Sequence, residues 1–405
     1  AEVASAAVQL ARDAAAQPDC ATHLSHVGYY LVDAGRAQLE RAVAMRATLA
    51  HRMRRTVARG PLAWFAGAIL TTTLLLALLA LAIATHGFAT PLAALPVSAW
   101  STWIMVLAVA ATLISASQLA VAIVNWFAPL LAQPRALPRM DFSFGIPNGS
   151  RTLVAVPTML SSAQGIDALA EALEVRFLAN RDAHLHFALL TDHLDAPSET
   201  LPDDAALLAH ARECIEALNR RYNGTDQDPR GGDHFFLFHR PRCWNAADRV
   251  WMGHERKRGK LGDLNALLRG TGHERFSLVV GDTAALSGVR YVITLDTDTQ
   301  LPRDAARKFV ATMAHPLNRP RFGGRPEAPR VVGGHGILQP RVGVSLATAS
   351  RTRYGRLFGG DAGIDPYTRA VSDVYQDLFG EGSFIGKGIY DVDAFEHVLG
   401  RRLPE

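Results

Sequence analysis

Between Arg59 and Arg135 the chain runs for 75 residues without an Asp, Glu, Lys or Arg. Two parts of this run are long enough to cross a bilayer as helices. Residues 61–85 (PLAWFAGAILTTTLLLALLALAIAT) and 99–131 (AWSTWIMVLAVAATLISASQLAVAIVNWFAPLL) both exceed a hydrocarbon core of about 30 Å at about 1.5 Å rise per residue. Trp100, Trp103 and Trp126 fall where interfacial aromatic belts would lie. Arg52, Arg54, Arg55 and Arg59 precede the first span, Arg135 and Arg139 follow the second, and the connecting HGFATPLAALPVS has no Lys or Arg. The positive-inside rule then puts both flanks on the cytoplasmic side, with a lipid bilayer as partner. Upstream, Val32, Leu39, Val43 and Ala50 recur at helical spacing, which predicts a helical segment over 1–59. The pattern divides the chain into that segment, two transmembrane helices within 60–134, a Pro-containing linker at 135–150, and a soluble domain over 151–405.

The soluble part alternates between two periods. RTLVAVP (151–157) reads as a strand ended by Pro, and GIDALAEALEVRFLA (165–179) as a helix. HLHFALLT (184–191) is a second strand ending in Asp192, residues 203–222 a long helix, and FFLFH (235–239) a third strand. Buried runs alternating with helices predict an α/β domain with a mostly parallel sheet, whose ligands bind at the carboxyl ends of the strands.

Composition narrows the class. With 49% hydrophobic and 20% charged residues, 405 residues suffice for a sizeable core, and disorder is excluded. The net charge of +4 separates 42 basic from 38 acidic residues, so no basic coat implies nucleic acid. Cys20, Cys214 and Cys243 lie far apart with no CxxC pair, which argues against a disulfide framework and suits a reducing compartment.

The sharpest chemical signal is YVITLDTDTQL (291–301), an apolar strand running into Asp296-Thr297-Asp298. Strand alternation would point both carboxylates to one side, giving hard oxygen ligands for Mg²⁺ or Mn²⁺ and hence a means of neutralising a diphosphate. HERKRGKLGDLNALL (254–268) crowds Lys257, Arg258 and Lys260 around Gly259 and Gly262 before a helix, a composition suited to phosphate. No GxGxxG or GxxxxGK[ST] is present, so dinucleotide and P-loop chemistry have no foothold. His184, His186 and His193 fit ordinary packing better than a metal site. GEGSFIGKG (380–388) is a glycine-rich turn with one carboxylate and one ammonium, which makes Glu381, Gly382 and Lys387 candidates for contact with a sugar. Gln339 and Arg341 flank Pro340 and are candidates for acceptor or phosphate, or a plain turn.

Taken in order, RTLVAVP, Asp192, KLGDLN and LDTDT resemble the membrane-bound GT-A glycosyltransferases grouped with cellulose synthase. The resemblance implies that Asp192 contacts the nucleobase region, that Lys260 and Asn265 line the sugar-nucleotide site, and that Asp296 and Asp298 hold a metal-bound diphosphate. Asp263 stands where that group often has Asn. More narrowly, SHVGYYLVDAGRAQLE, LPRDAARKFVATMAHPLNRP, GGHGILQPRV and GIDPYTRAVSDVYQDLFGEGSFIGKGIYDVDAFE resemble the glycosyltransferase module of cyclic β-1,2-glucan synthases, glycosyltransferase family 84. That likeness spans nearly the whole chain. It implies a bacterial inner-membrane enzyme with its transferase domain facing the cytoplasm, moving glucose with inversion from UDP-glucose to a β-1,2-glucan carried on a tyrosine. Tyr367 and Tyr375 flank Asp373, and nothing in the spacing picks out the carrier.

In the wider group the catalytic base lies in a TED-type motif after the glycine-rich loop. This sequence reaches Glu405 without one. The base is therefore expected beyond Glu405, with Glu381 as the candidate within the chain, and the chain is expected to bind UDP-glucose with a divalent cation but turn over poorly. Two alternatives stay open: another processive membrane polysaccharide synthase using a nucleotide sugar, and a nonenzymatic nucleotide-sugar-binding regulator.

Overall fold

The computed structural model describes residues 2–18, 20–46, 48–86, 102–131, 136–223, 232–326, 328–340, 351–353, 379, 384 and 386–400. Packing divides the chain into two compact units: Ala1–Val43 with Leu137–Pro340 and Phe384–Glu405, and Ala44–Ala136 with Arg341–Ser383.

The first unit opens with helices α1 (Glu2–Ala15), α2 (Val27–Val32) and α3 (Arg36–Ala42). They meet around Ala7, Ala11, Tyr30 and Leu39. The main body follows as strands β1 (Thr152–Leu160), β2 (Leu185–His193), β3 (Phe235–His239), β4 (Cys243–Asn245), β5 (Val250–Met252), β6 (Leu278–Val280), β7 (Tyr291–Thr294), β8 (Arg321–Arg325), β9 (Ala328–Gly333), β10 (Ile337–Leu338) and β11 (Gly388–Asp391). Seven of these form one sheet in the order β10-β11-β7-β1-β2-β3-β6. The four central strands β7, β1, β2 and β3 are parallel, while β6 and β11 run antiparallel to their neighbours, as does β10 to β11. The mostly parallel α/β sheet expected from the sequence is therefore present.

Alternation along β1 assigns each face. Val154 and Val156 join Phe187, Leu189, Phe235 and Ile293 on one side, where helices α7 (Ala163–Ala179) and α8 (Asp204–Tyr222) bury Leu173, Phe177, Ile215 and Leu218. Leu153 and Ala155 join Leu190, Phe236, Phe238 and Tyr390 on the other, under Leu264 and Leu267 of helix α9 (Arg256–Leu268). Helix α10 (Ala305–Ala314) covers the first face and α11 (Val392–Leu399) the second. All nine residues of β2 are buried, as a strand covered on both faces requires. Ser162 caps α7 by accepting from Gly165 N at 3.1 Å, worth about 1 kcal/mol.

The second unit contains helices α4 (Leu49–Arg59), α5 (Pro61–His86) and α6 (Thr102–Leu131). α5 and α6 pack on each other, and each holds a 23-residue stretch, Pro61–Ile83 and Val106–Ala128, long and apolar enough to cross a membrane. Their side chains face outward, with Leu70, Leu81 and Trp103 exposed. The hydroxyls of Thr73 and Thr112 donate to the carbonyls of Ile69 and Ala108, so neither polar group needs a partner outside its helix. The second helix begins at Thr102, and Trp100 lies outside the described residues.

Four sequence expectations change here. β1 does not end at Pro157 but runs through it to Leu160, paired with β2 in register as far as His193. β2 extends to His193, so Asp192 is its penultimate residue. The basic, glycine-containing stretch expected as a loop is the first turns of α9, because Gly259 packs on the His254 carbonyl where a methyl would overlap it. β7 ends at Thr294, and the following residues form a turn closed by Thr299 N donating to the Asp296 carbonyl at 3.1 Å. Strand alternation therefore does not set the directions of Asp296 and Asp298.

Candidate functional site

A cavity of about 290 Å³ opens at the carboxyl ends of β1 and β2, lined by Thr158, Asp192, His193, Lys257, Lys260 and Thr297 among others. This is where a parallel sheet places ligands. A larger cavity of about 850 Å³ lies at the other end of the sheet beside Gly149, Arg290 and Asp393, and holds none of the sequence-predicted site residues.

Asp192 anchors the floor and is 3% exposed. Arg240, the residue after β3, donates from Nε to Asp192 Oδ1 and from Nη2 to Oδ2, both at 3.0 Å. Lys260 Nζ lies 3.1 Å from Oδ2 and also donates to the Thr158 carbonyl. Arg240 Nη1 reaches Asp263 Oδ2 at 2.7 Å, and Arg275 holds the other oxygen of Asp263 at 2.8 Å. Asp263 thus serves as the counter-ion on the outer side of Arg240. Burial disfavours the Arg240 charge, yet its bonds to Asp192 and Asp263 outweigh this and raise its pKa. For Lys260 burial wins over Asp192, and its pKa is lowered. Gly253 faces the same carboxylate, and any Cβ there would overlap Asp192 Oδ2.

The DTD turn forms a second focus. Lys257 Nζ donates to Asp296 Oδ1 at 2.5 Å and to the Gly386 carbonyl at 2.7 Å, while Lys387 Nζ lies 3.1 Å from Asp296 Oδ2. Burial alone would raise the Asp296 pKa, but the two ammoniums hold it below the usual carboxylate value. Two expected site residues, Asp296 and Lys387, are thus brought together from positions 91 residues apart. Gly386 has φ +81°, a conformation suited to glycine, and its carbonyl is turned to Lys257. Asp298 is exposed, its nearest bond being one from Thr299 Oγ1 at 3.4 Å.

Arg176 on α7 was not signalled by any motif. It is 4% exposed and donates from Nε to the Thr299 carbonyl at 3.0 Å and from Nη2 to those of Thr297 and Thr299 at 2.7 and 2.8 Å. A buried guanidinium therefore curls the DTD turn from beneath. The available signal was a charged residue beside the apolar stripe Ile166, Ala170, Leu173 and Phe177.

The remaining expected residues are placed differently. Asn265 is fully buried on α9, donating to Glu396 Oε1 at 3.2 Å and accepting from Tyr390 OH at 2.8 Å, so it ties α9 to β11 and α11 and does not line the cavity. Gln339 is exposed just after β10, next to the start of β11, and is not in the cavity wall. Glu381, Gly382, Arg341, Tyr367, Asp373 and Tyr375 lie outside the described residues. His184 and His186 bond backbone carbonyls, Ile146 O at 2.6 Å and Asp233 O at 3.3 Å.

His239, behind the cavity, stacks edge-on against His193 at 4.4 Å and has its pKa lowered to about 3 by burial, then by His193 and Lys260. The folded chain keeps this ring neutral, whereas the unfolded chain protonates it below about pH 6.5. Its contribution to stability is therefore complete above pH 6.5 and is lost as the pH falls toward 3. Between pH 7 and pH 5 the share from His239 is expected to be about 2 kcal/mol, read from urea unfolding, and His239→Gln should remove that share while buried His186, lowered to about 4, keeps its own.

No family model matches the chain. It is 40% identical over 407 residues to cyclic beta-(1,2)-glucan synthase NdvB of Rhizobium meliloti (strain 1021), a match that covers 100% of this chain. The chain spans 14% of the length of that curated relative. That identity is sustained from end to end, so the chain is similar along its whole length to a stretch of this cyclic beta-(1,2)-glucan synthase.

Proposed function

We propose that this chain is a GT-A-type nucleotide-sugar site that takes glucose from UDP-glucose and passes it, with inversion, to a β-1,2-glucan acceptor. The observation that carries the reading is the cavity at the carboxyl ends of β1 and β2, with Asp192, Lys257 and Lys260 in its wall and the DTD turn at its edge. Asp192 is an acceptor suited to the polar edge of a uracil, held in one orientation by Arg240 and Lys260. The donor set of the turn suits a hard divalent cation, because Asp298 is exposed and its carboxylate supplies oxygen ligands. Mg²⁺ or Mn²⁺ held by Asp298 and Asp296 would offset charge on the diphosphate as UDP departs. Lys257 and Lys387, which pair with Asp296, would turn toward phosphate oxygens as the donor enters.

The acceptor hydroxyl must lose a proton to a carboxylate opposite the leaving group. Glu381 is one candidate for that base. The arginines before α5 and the two after α6 support a cytoplasmic face for the donor site, in a bacterial inner membrane. A glucan borne on a tyrosine belongs to the same proposal.

The test is calorimetric titration of the purified chain in detergent with UDP-glucose, GDP-mannose and UDP, each with and without Mg²⁺. Saturable binding of the uridine nucleotides, tightened by Mg²⁺, is expected, with GDP-mannose at least about tenfold weaker, a difference of about 1.4 kcal/mol. Equal binding of all three, or none, would overturn the reading.

A further inference from the structure

Where α7 and α8 meet, three different metal-ligating side chains converge. His210 and Cys214 stand one turn apart on α8, and Asp167 faces them from α7. His210 Nε2 lies 2.7 Å from Asp167 Oδ1, Cys214 Sγ lies 3.7 Å from that oxygen, and Sγ and Nε2 are 3.9 Å apart. The imidazole and the carboxylate are partly exposed, and the thiol is partly buried against the core.

We propose that Asp167, His210 and Cys214 form a binding site for a thiophilic divalent cation, zinc by preference, separate from the donor cavity. The geometry decides in its favour. With Zn–S about 2.3 Å and Zn–N and Zn–O about 2.0–2.2 Å, tetrahedral ligands stand roughly 3.3–3.6 Å apart. Both distances involving sulfur already lie close to that range, and only the hydrogen-bonded His210–Asp167 pair has to widen as the cation replaces its shared proton. The donor set of one thiolate, one imidazole and one carboxylate favours zinc over the hard cations, and the exposed side leaves the fourth position to water. Among the described residues this is the one group of three such side chains whose donor atoms lie within 4.8 Å of one another.

On binding, the thiol proton passes to solvent, the proton shared by His210 Nε2 and Asp167 passes to His210 Nδ1 or, if Nδ1 already carries one, to solvent, and the sulfur, Nε2 and carboxylate lone pairs form the bonds to the metal with no change of oxidation state. Burial, then Asp167, raises the pKa of the Cys214 thiol, so in the free chain it stays a weak nucleophile. A cation here would staple α7 to α8, two helices that otherwise meet through apolar contacts and the Glu174–Arg221 and Glu174–Tyr222 bonds. Because α7 also carries Arg176, the staple stiffens the helix that curls the DTD turn. The two points are nine residues apart on it, about 14 Å.

The full chain in detergent, with Cys20→Ser and Cys243→Ser so that Cys214 is its one thiol, would be titrated with Co²⁺ as a spectroscopic stand-in. A sulfur-to-cobalt charge-transfer absorption saturating at one equivalent, and bleached by one equivalent of Zn²⁺, is expected. Cys214→Ser should abolish the band. His210→Ala, a change at a partly exposed position, should weaken binding about 100-fold or more, beyond the loss from removing an outer partner of a ligand. Far-UV circular dichroism shows whether each variant folds, and His210→Ala decides the matter if Cys214→Ser does not. No band at stoichiometric cobalt, or unchanged affinity in His210→Ala, would overturn the site.

Discussion

Arg240→Ala is expected to destabilise the sheet-containing unit by about 3–5 kcal/mol, the usual cost of removing one partner from a buried ion pair. Two carboxylates depend on this guanidinium: Asp192, which is 3% exposed and takes both of its oxygens' strongest contacts from it, and Asp263 on its other side. Lys260 cannot take over, because it reaches Asp192 through one oxygen and its own charge is already disfavoured by burial. Arg275 still covers Asp263 after the change, so the penalty falls on Asp192. The double variant Arg240→Ala/Asp192→Asn should therefore recover part of the loss, since it removes the stranded charge. Urea unfolding of the three proteins measures this. A single-variant loss under about 1 kcal/mol, the range of an exposed pair, would mean that water reaches Asp192 and that the floor of the cavity is not closed.

Asp298→Asn is expected to abolish the effect of Mg²⁺ on UDP-glucose affinity, a loss of about 10²-fold in the metal-dependent component, while leaving folding unchanged. The separation of the two effects comes from where the side chain sits. Asp298 is exposed, and among the described residues its hydrogen bond is the 3.4 Å one from Thr299, while its charge favours the Arg176 guanidinium at longer range, so its amide isostere keeps the packing but carries no charge for a divalent cation. Asp296→Asn is a different experiment. It strands Lys257 and Lys387 without their shared counter-ion and loosens the turn around Gly386, so both the free and the bound chain change. Calorimetry at fixed UDP-glucose with increasing Mg²⁺ gives the result. If Asp298→Asn responds to Mg²⁺ as the parent does, the cation is not held by this carboxylate.

Much of the fold is legible because β1, buried on both faces, reads as a short continuous apolar run over residues 153 to 156, although the strand goes on through Pro157 to Leu160. The 75 uncharged residues are equally direct, since few arrangements other than apolar helices satisfy such a run. Local pattern fails where distant contacts decide. Gly259 and Gly262 are poor helix formers, yet α9 runs through both because Gly259 seats on a carbonyl that no larger residue would admit. That helix also explains where Asn265 lies. Five residues separate it from Lys260, roughly 140° around a helix of 3.6 residues per turn, so one side chain meets Asp192 while the other enters the core. Arg176 bonds carbonyls more than 120 residues away, and no window of sequence contains both partners.

The antiparallel insertion of β11 beside β7 bears on how the chain acquires its shape during synthesis. β7 is complete at residue 294, but its outer neighbour arrives only at residues 388–391. Until then the nascent sheet carries an open, apolar edge directly ahead of the DTD turn, a surface prone to pairing with the wrong strand. Joining β11 closes a loop of more than 90 residues, an event of high sequence separation and hence slow. The same event delivers Lys387 to Asp296. The Lys387–Asp296 pair should accordingly form late, and a ribosome-bound intermediate should display β1 to β3 in protected form well before it.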